Sequence, residues 1–445
     1  MRPAILALLL LAGCAHLAGD PGEITSIRFA PVDFPKSVAR ANADLAEDFL
    51  DYTFALETGE TLDGILRYEE PIRIHFREPG LAPFRHDIET LLARLRREAG
   101  VDISEVAAKS DAHIVVEAVP RGQIDRIFPT AACFIVPGER SWREFVRRRP
   151  EEVLRWADQE TLQGAAIFLP ADTTPQDVRD CLNEEVTQAL GPANDLYRVA
   201  DSIWNDDNLH SIPTPFNMLM LRVLYQPEIR SGMSRAEMSS VLPRLLDRLN
   251  PAGRDLPRAA RHPESQAWAS AIEVALMRGA PQPERRGAAM IAVQIAREMR
   301  PVDHRLAVSL LALGRLELRR EPAAAARHFA EAYNLSRRLH GPGDIRTGHA
   351  AVHVAAMALA ADQHDLALRL ATEHVDAARA GQNAVLLAGL RSIEAEALAA
   401  LGREEDASAA RLDSLRWARY GLGDRDGALA REQAEIAAVL RLDDD

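Results

Sequence analysis

The sequence predicts an α+β N-terminal domain followed by an all-α domain of helical repeats. Three observations carry this. Short apolar runs with strand character, such as Ile72-Arg-Ile-His-Phe76, lie before about residue 170 and are separated by helical patterns. From about Pro263 the composition shifts to Ala, Leu, Arg and Glu with helical periodicity and no strand pattern. Within that second part Ala326, Ala367 and Ala407 recur at 41 and then 40 residues, each opening a helix behind a short turn.

At 445 residues and 47% hydrophobic content, the chain is long enough for two or three domains with sizeable cores. A net charge of −13 argues against general affinity for nucleic acid or for anionic lipid headgroups. Residues 1–13 read as a targeting segment: Arg2 supplies a positive start, and Ala4 to Leu11 form an apolar stretch too short to span a bilayer. Leu11-Ala12-Gly13-Cys14 follows directly and resembles the bacterial lipobox. That resemblance implies a diacylated Cys14, a membrane partner through that lipid, and a tether over residues 14–25. Ala15 after the cysteine favours the periplasmic face of the outer membrane, by analogy with enterobacterial sorting. Two cysteines remain, Cys133 and Cys181; export and an even count suggest a disulfide, and two buried free thiols are the alternative.

The first domain is assigned to residues 26–255. Val38, Leu45, Phe49 and Tyr52 recur at helical intervals and predict a helix from Val38 to about Leu56. Ile72, Ile74 and Phe76 alternate with Arg73, His75 and Arg77 as in a half-exposed strand. Ile88, Leu91, Leu92 and Leu95 mark an amphipathic helix ending at Gly100. His113–Glu117, Ala132–Val136 and Ala165–Leu169 read as further strands. A helix then starts at Thr174, with Pro175 in its first turn and Asp177 at its positive end, and Gly191 stops it. Two more helices follow, over Pro215–Tyr225 and behind Ser234, which has Glu237 in capping-box position.

The helix ending at Gly191 carries the most pointed chemistry. Val178, Leu182 and Ala189 share one side, Glu185 projects into the middle of it, and Gln188 sits at its edge. A carboxylate in an apolar stripe is costly to bury unless it is paired or faces a cleft. The stretch Glu184-Glu-Val-Thr-Gln-Ala-Leu-Gly191 resembles the zinc-binding helix of metzincin-type metallopeptidases, HExxHxxGxxH/D. The resemblance puts Glu184 at the first histidine, Glu185 at the general base, Gln188 at the second histidine and Asn194, with Asp195 beside it, at the third ligand. Both helical histidines are absent, and zinc prefers imidazole nitrogen or thiolate sulfur. The expectation is a zincin-like domain without metal or other cofactor. Residues 25–250 also resemble DUF2927, a family of proteobacterial lipoproteins without established activity. The matching residues include Asn194-Asp195, Ser202-Ile203, Asn205-Asp206, Leu224-Tyr225 and Gly232-Met233-Ser234.

Other candidates read as ordinary structure. His75, His86, His113 and His210 form no helical ligand pair. His210 facing Glu185 across a cleft would give acid–base chemistry, but an exposed loop histidine is the simpler reading. Asp201, Asn205, Asp206 and Asp207 offer hard oxygen ligands without EF-hand spacing, which favours a turn. Arg140, Arg143, Arg147, Arg148, Arg149 and Arg155 interleave with Glu139, Glu144, Glu151 and Glu152, which reads as a solvated helical face.

Residues 260–445 resemble tetratricopeptide-type repeats of the longer, roughly 42-residue variant. The helices Leu306–Leu318, Gly348–Ala360 and Ala384–Leu401 lead the three pairs, Glu264–Arg278 with Glu284–Met299 forms an earlier one, and Asp424–Leu440 closes the array. Stacked helix pairs make a concave surface that suits a protein or peptide partner. The combined expectation is an envelope lipoprotein acting as a binding or scaffold module. The alternative is an atypical periplasmic hydrolase using Glu185 as general base.

Overall fold

The computed structural model describes residues 27–56, 58–129, 131–148, 153, 155–205, 207, 209–277 and 279–423. Cys14, the leader, the tether and the closing helix Asp424–Leu440 lie outside the described residues, as do Asp206, Arg149, Glu151 and Glu152. No helix among the described residues is long and apolar enough to cross a membrane.

The first half is built on a five-stranded sheet of order β2-β1-β3-β5-β4. Its strands are β1 (Ile72–Phe76), β2 (Ile103–Glu105), β3 (Ile114–Val119), β4 (Phe134–Pro137) and β5 (Ala165–Pro170). All neighbours run parallel except β4, which closes one edge antiparallel to β5 with Phe134 opposite Phe168. Parallel strands covered on both faces need unbroken apolar runs, and β5 is buried along its whole length. β1 keeps the period of two, with Ile72, Ile74 and Phe76 inside and Arg73 and His75 half-buried. The three residues of β2 are too few to show a period in the sequence.

The inner face of the sheet, including Ile74, Val116, Ile167 and Leu169, meets one large core. Helices α1 (Asn42–Thr53) and α2 (Arg85–Arg94) contribute to it, with the π-turn Leu95–Ala99 that ends at the left-handed Gly100 (φ 71°). The outer face is partly covered by two single-turn helices, α3 (Arg121–Ile124) and α4 (Trp142–Phe145). From β5 the chain turns directly into α5 (Pro175–Gln188), followed by α6 (Pro215–Leu224) and α7 (Arg235–Leu249). α1 starts four residues later than the periodicity of Val38 suggested. Val38 is held outside the helix by Asn250, which accepts from its N–H at 2.8 Å and donates to its carbonyl at 2.9 Å.

The disulfide forms between Cys133 and Cys181, with the Cα atoms 6.0 Å apart. It ties the residue before β4 to the middle of α5.

Residues 266–423 form helices joined by short turns. They are α8 (Gln266–Leu276), α9 (Gln282–Glu298), α10 (His304–Glu317), α11 (Pro322–His340), α12 (Ile345–Ala360), α13 (His364–Ala380), α14 (Ala384–Ala400) and α15 (Glu404–Leu422). Each helix packs on the next in sequence, the arrangement that lets units with one apolar side share a continuous core. The second helices of three pairs begin at Pro322, His364 and Glu404, close to the period read from the sequence. One position is corrected. Ala367 and Ala407 are fully buried at the crossings, but in the first pair Ala325 takes that place and Ala326 is half-buried.

Reducing the Cys133–Cys181 bridge, which spans a sequence separation of 48, should lower stability by about 4 kcal/mol in the chain-entropy account. Denaturant unfolding with and without reductant, beside Cys133→Ala/Cys181→Ala, measures it. A midpoint insensitive to reductant would contradict it.

Candidate functional site

The candidate site is the last two turns of α5 and the loop behind them. Thr174 accepts from the N–H of Asp177, Asp177 answers with its carboxylate, and Pro175 occupies the first turn, so the helix starts where its caps place it. Val178, Cys181, Leu182, Val186 and Ala189 go into the core. Gln176, Arg179 and Asn183 are also buried, although polar. Their side of the helix meets the helical half and the 209–214 segment. The Gln176 side-chain oxygen accepts from the N–H of Ala384 at 3.0 Å. Arg179 donates to Gln382 and lies over the Phe29 ring at 4.6 Å. Asn183 donates to the Ser211 carbonyl at 2.9 Å. Helix α15 also packs on α5. A helix read from sequence as facing a cleft is thus covered by chain on much of its polar side.

The residues singled out from the sequence do come together. Glu185 is 7% exposed, and Glu184 one position before it is half-buried. The Gln188 amide donates to Asp195 at 2.9 Å. Asn194 donates to the Asp51 carbonyl at 2.8 Å, and its side-chain oxygen accepts from the N–H of Asp195 at 3.0 Å. Two amides therefore stand where the metzincin pattern has metal ligands, and both donate hydrogen into the protein. Among the described residues, no three His, Cys, Asp or Glu side chains gather to hold a metal ion.

The turn after α5 depends on Gly191. Its φ of 137° is closed to ordinary side chains, and a Cβ there would lie 2.6 Å from the Leu66 carbonyl oxygen and 2.8 Å from the Leu224 side chain. Sequence reasoning missed the braces around this turn. The Tyr225 hydroxyl donates to the Leu190 carbonyl at 2.8 Å, and Arg67 lies over the Tyr225 ring at 4.9 Å. The buried Trp204 indole donates to Thr187 at 2.9 Å, and Thr187 donates back to Asn183 in its own helix at 2.8 Å. The available signal was the resemblance of Ser202–Asp206 and Leu224-Tyr225 to family segments.

The lone histidines fall elsewhere. His75 contacts the Val106 carbonyl at 3.1 Å, and His113 sits against Arg73. His210 contacts the Ala200 carbonyl at 3.1 Å, with Asp201, Asp344 and Arg346 among the charged groups around it. Asn205 and Asp207 form the predicted turn: Asp207 donates its N–H to Asn205 at 3.2 Å and accepts from the N–H of Leu209 at 2.9 Å.

Residues 42–244 match the family described as a protein of unknown function (DUF2927). The DUF2927 match starts at α1 and ends within α7, so it spans the sheet and α5 and stops before the helical half. No curated protein and no solved structure matches the chain.

His210 belongs to a histidine-lined seam between the two halves. His304 meets the Tyr197 carbonyl, His349 meets the Leu209 carbonyl at 3.2 Å, and the His304 and His340 rings lie 6.5 Å apart. The charged groups facing them are Asp201, Asp303, Arg305, Arg315, Asp344 and Arg346. Burial above all pushes His210, His304 and His349 down to about 4. On the α13–α15 side of the helical half, a groove of about 550 Å³ carries Arg369, Arg391, Arg403, Glu394, Asp406 and Asp413.

Two outcomes are expected. Gly191→Ala combines backbone strain with a clash and should cost about 3 kcal/mol. Thermal unfolding tests it, and an unchanged midpoint would refute the close approach. Between the ordinary histidine value of 6.5 and about 4, the unfolded chain binds more protons than the folded one. The stability contributed by these three histidines is therefore full above about pH 6.5, falls as the pH drops towards about 4, and levels off below that. Melting midpoints across this range should show the slope, and His304→Gln/His349→Gln should flatten it.

Proposed function

We propose that the chain is an envelope lipoprotein in which a catalytically degenerate, zincin-like domain and a tetratricopeptide-like repeat domain act together as a binding and scaffold module. The observation that carries this is the donor set on α5 and its loop. Gln188 and Asn194 spend their amides on Asp195 and the Asp51 carbonyl, while zinc sites are built from imidazole, thiolate and carboxylate. The sheet-then-helix order, with α5 leaving β5 directly, is in keeping with the zincin-like reading.

The helical half supplies the docking surface. Its α13–α15 groove carries three arginines and three carboxylates, with Arg391 on Glu394 and Asp413 and Arg403 on Asp406, a lining whose pairs a peptide of mixed charge could exchange. In this reading Cys14 carries the lipid that holds the protein on the periplasmic face of the outer membrane, and residues 14–25 are the tether. The hydrolase alternative has no specific observation in its favour.

Elemental analysis tests the proposal. The chain from Ala15 onward, exported to a periplasm and purified without chelators, should carry no stoichiometric transition metal. Glu184→Ala/Glu185→Ala should be indistinguishable from it in metal content and in peptidase assays. Stoichiometric zinc lost by the double variant, or proteolysis that depends on Glu185, would overturn the reading.

A further inference from the structure

The outer face of the sheet at its β4 edge carries an exposed apolar patch ringed by arginines that make no ion pair among the described residues. Phe128, Phe134, Trp142, Phe145 and Phe168 form one aromatic cluster there: Phe128 lies 4.7 Å from Phe134 and 6.5 Å from Phe145, and Trp142 lies 5.2 Å from Phe168. These are five of the chain's 23 aromatic residues, so the concentration is local. The cover over them is thin, because α3 and α4 are single turns. Ile127 and Phe128 remain 41% exposed and Val146 46%.

The charge around this patch differs from the reading of the bare sequence. Glu139 is buried and taken by Arg148 at 2.7 Å, Glu144 is taken by Lys109 at 3.2 Å, and Asp125 by Arg121 at 2.7 Å. The guanidinium groups of Arg126, Arg143 and Arg147 make no ion pair among the described residues, and all three residues are exposed. Arg126 adjoins Ile127, and Arg147 adjoins Val146.

We propose that this patch is a membrane-docking surface: Ile127, Phe128 and Val146 enter the interfacial region of a bilayer while Arg126, Arg143 and Arg147 bind anionic phospholipid headgroups. Exposed aromatic and aliphatic side chains beside cations are the combination that binds such an interface. The charge complementarity is local, since the chain as a whole is at −13. Chain connectivity points the same way. The disulfide clamps Cys133, next to β4, onto α5, and the described chain enters with Phe29 against Arg179 of the same helix. From Cys14 to Ile27 an extended chain reaches at most about 45 Å, so a lipid on Cys14 would keep the patch near the bilayer. Only this last point rests on the proposed lipoprotein reading.

Vesicle co-sedimentation of the unlipidated chain from Ala15 onward tests the proposal. Phosphatidylethanolamine–phosphatidylglycerol vesicles should bind it, phosphatidylcholine vesicles should not, and raising salt from about 0.1 M to about 0.5 M should release it. Arg126→Glu/Arg143→Glu/Arg147→Glu should lower partitioning at least about a hundredfold, near fivefold or more per arginine. Phe128→Ser/Val146→Ser should lower it about tenfold with the charge intact. Arg319→Glu/Arg320→Glu, exposed on the helical half, should bind as wild type, and circular dichroism checks that each variant folds. No binding to the anionic vesicles, equal binding by the triple-arginine variant, or retention of an acidic protein in place of vesicles would overturn the proposal. Metal content plays no part in this assay, so its failure is separate from failure of the scaffold reading.

Discussion

One buried carboxylate joins the parts of this molecule. Asp48 on α1 is fully buried and receives Arg40, Arg198 and Arg261. Burial alone would raise its carboxyl, but the three guanidinium groups together hold it below the ordinary carboxylate value. The arginines come from separate segments: the lead-in to α1, the loop behind α5, and the stretch between α7 and α8. The arrangement spreads outward, with Arg198 also on Asp51 at 2.6 Å, Arg40 on Asp201 at 2.8 Å and Arg258 on Asp44 at 3.0 Å. Charges removed from water must be matched almost completely. The connection into the helical half and the loop after the site helix are therefore fixed against the same point on α1.

That constraint bears on α5. Asp51, one turn beyond Asp48, offers its carbonyl to Asn194, and Asn194 holds the N–H of Asp195, which receives Gln188. The hydrogen-bond chain runs from the ionic cluster through the loop and back onto the helix. On its other side α5 is held by Gln382, Ala384 and Ser211. A helix fixed at both ends and on its polar side serves as a structural spine joining the sheet to the helical half. A peptidase instead needs an open metal position beside its general base. This is why the scaffold reading rests on α5 rather than on the repeats alone.

The sequence carried the local signals well and the pairings poorly. Strands β1 and β5, the caps at Thr174 and Ser234, and the helix pairs all follow from short-range periodicity and side-chain-to-backbone bonds. The cysteine pairing also followed, because only two cysteines remained after Cys14. The residues flagged on α5 do lie together, since helical spacing fixes their relative directions. What covers them was not legible. The contacts of Gln176, Arg179 and Asn183 with Ala384, Gln382 and Ser211 span 28 to 208 positions, and no periodicity encodes such a distance. Gln176 and Arg179 read as solvent-facing by residue type, and only the tertiary arrangement buries them.

The arginine run shows the same limit with the opposite outcome. In the sequence, acids interleave with bases between Glu139 and Arg155, and the stretch reads as a solvated helical face. Among the described residues α4 is a single turn, so its charges are not paired along a longer helix. Glu139 turns inward to Arg148, and Glu144 reaches across to Lys109 before β3. Glu139 is buried and Glu144, though exposed, is paired with Lys109, which leaves Arg126, Arg143 and Arg147 as local positive charge among the described residues, beside Phe128 and Val146. A protein with a net charge of −13 is repelled by an anionic bilayer in general, so only a face with this local inversion can approach one. Orientation on the membrane would then be set by the chain's own surface, with a lipid at Cys14 supplying proximity alone.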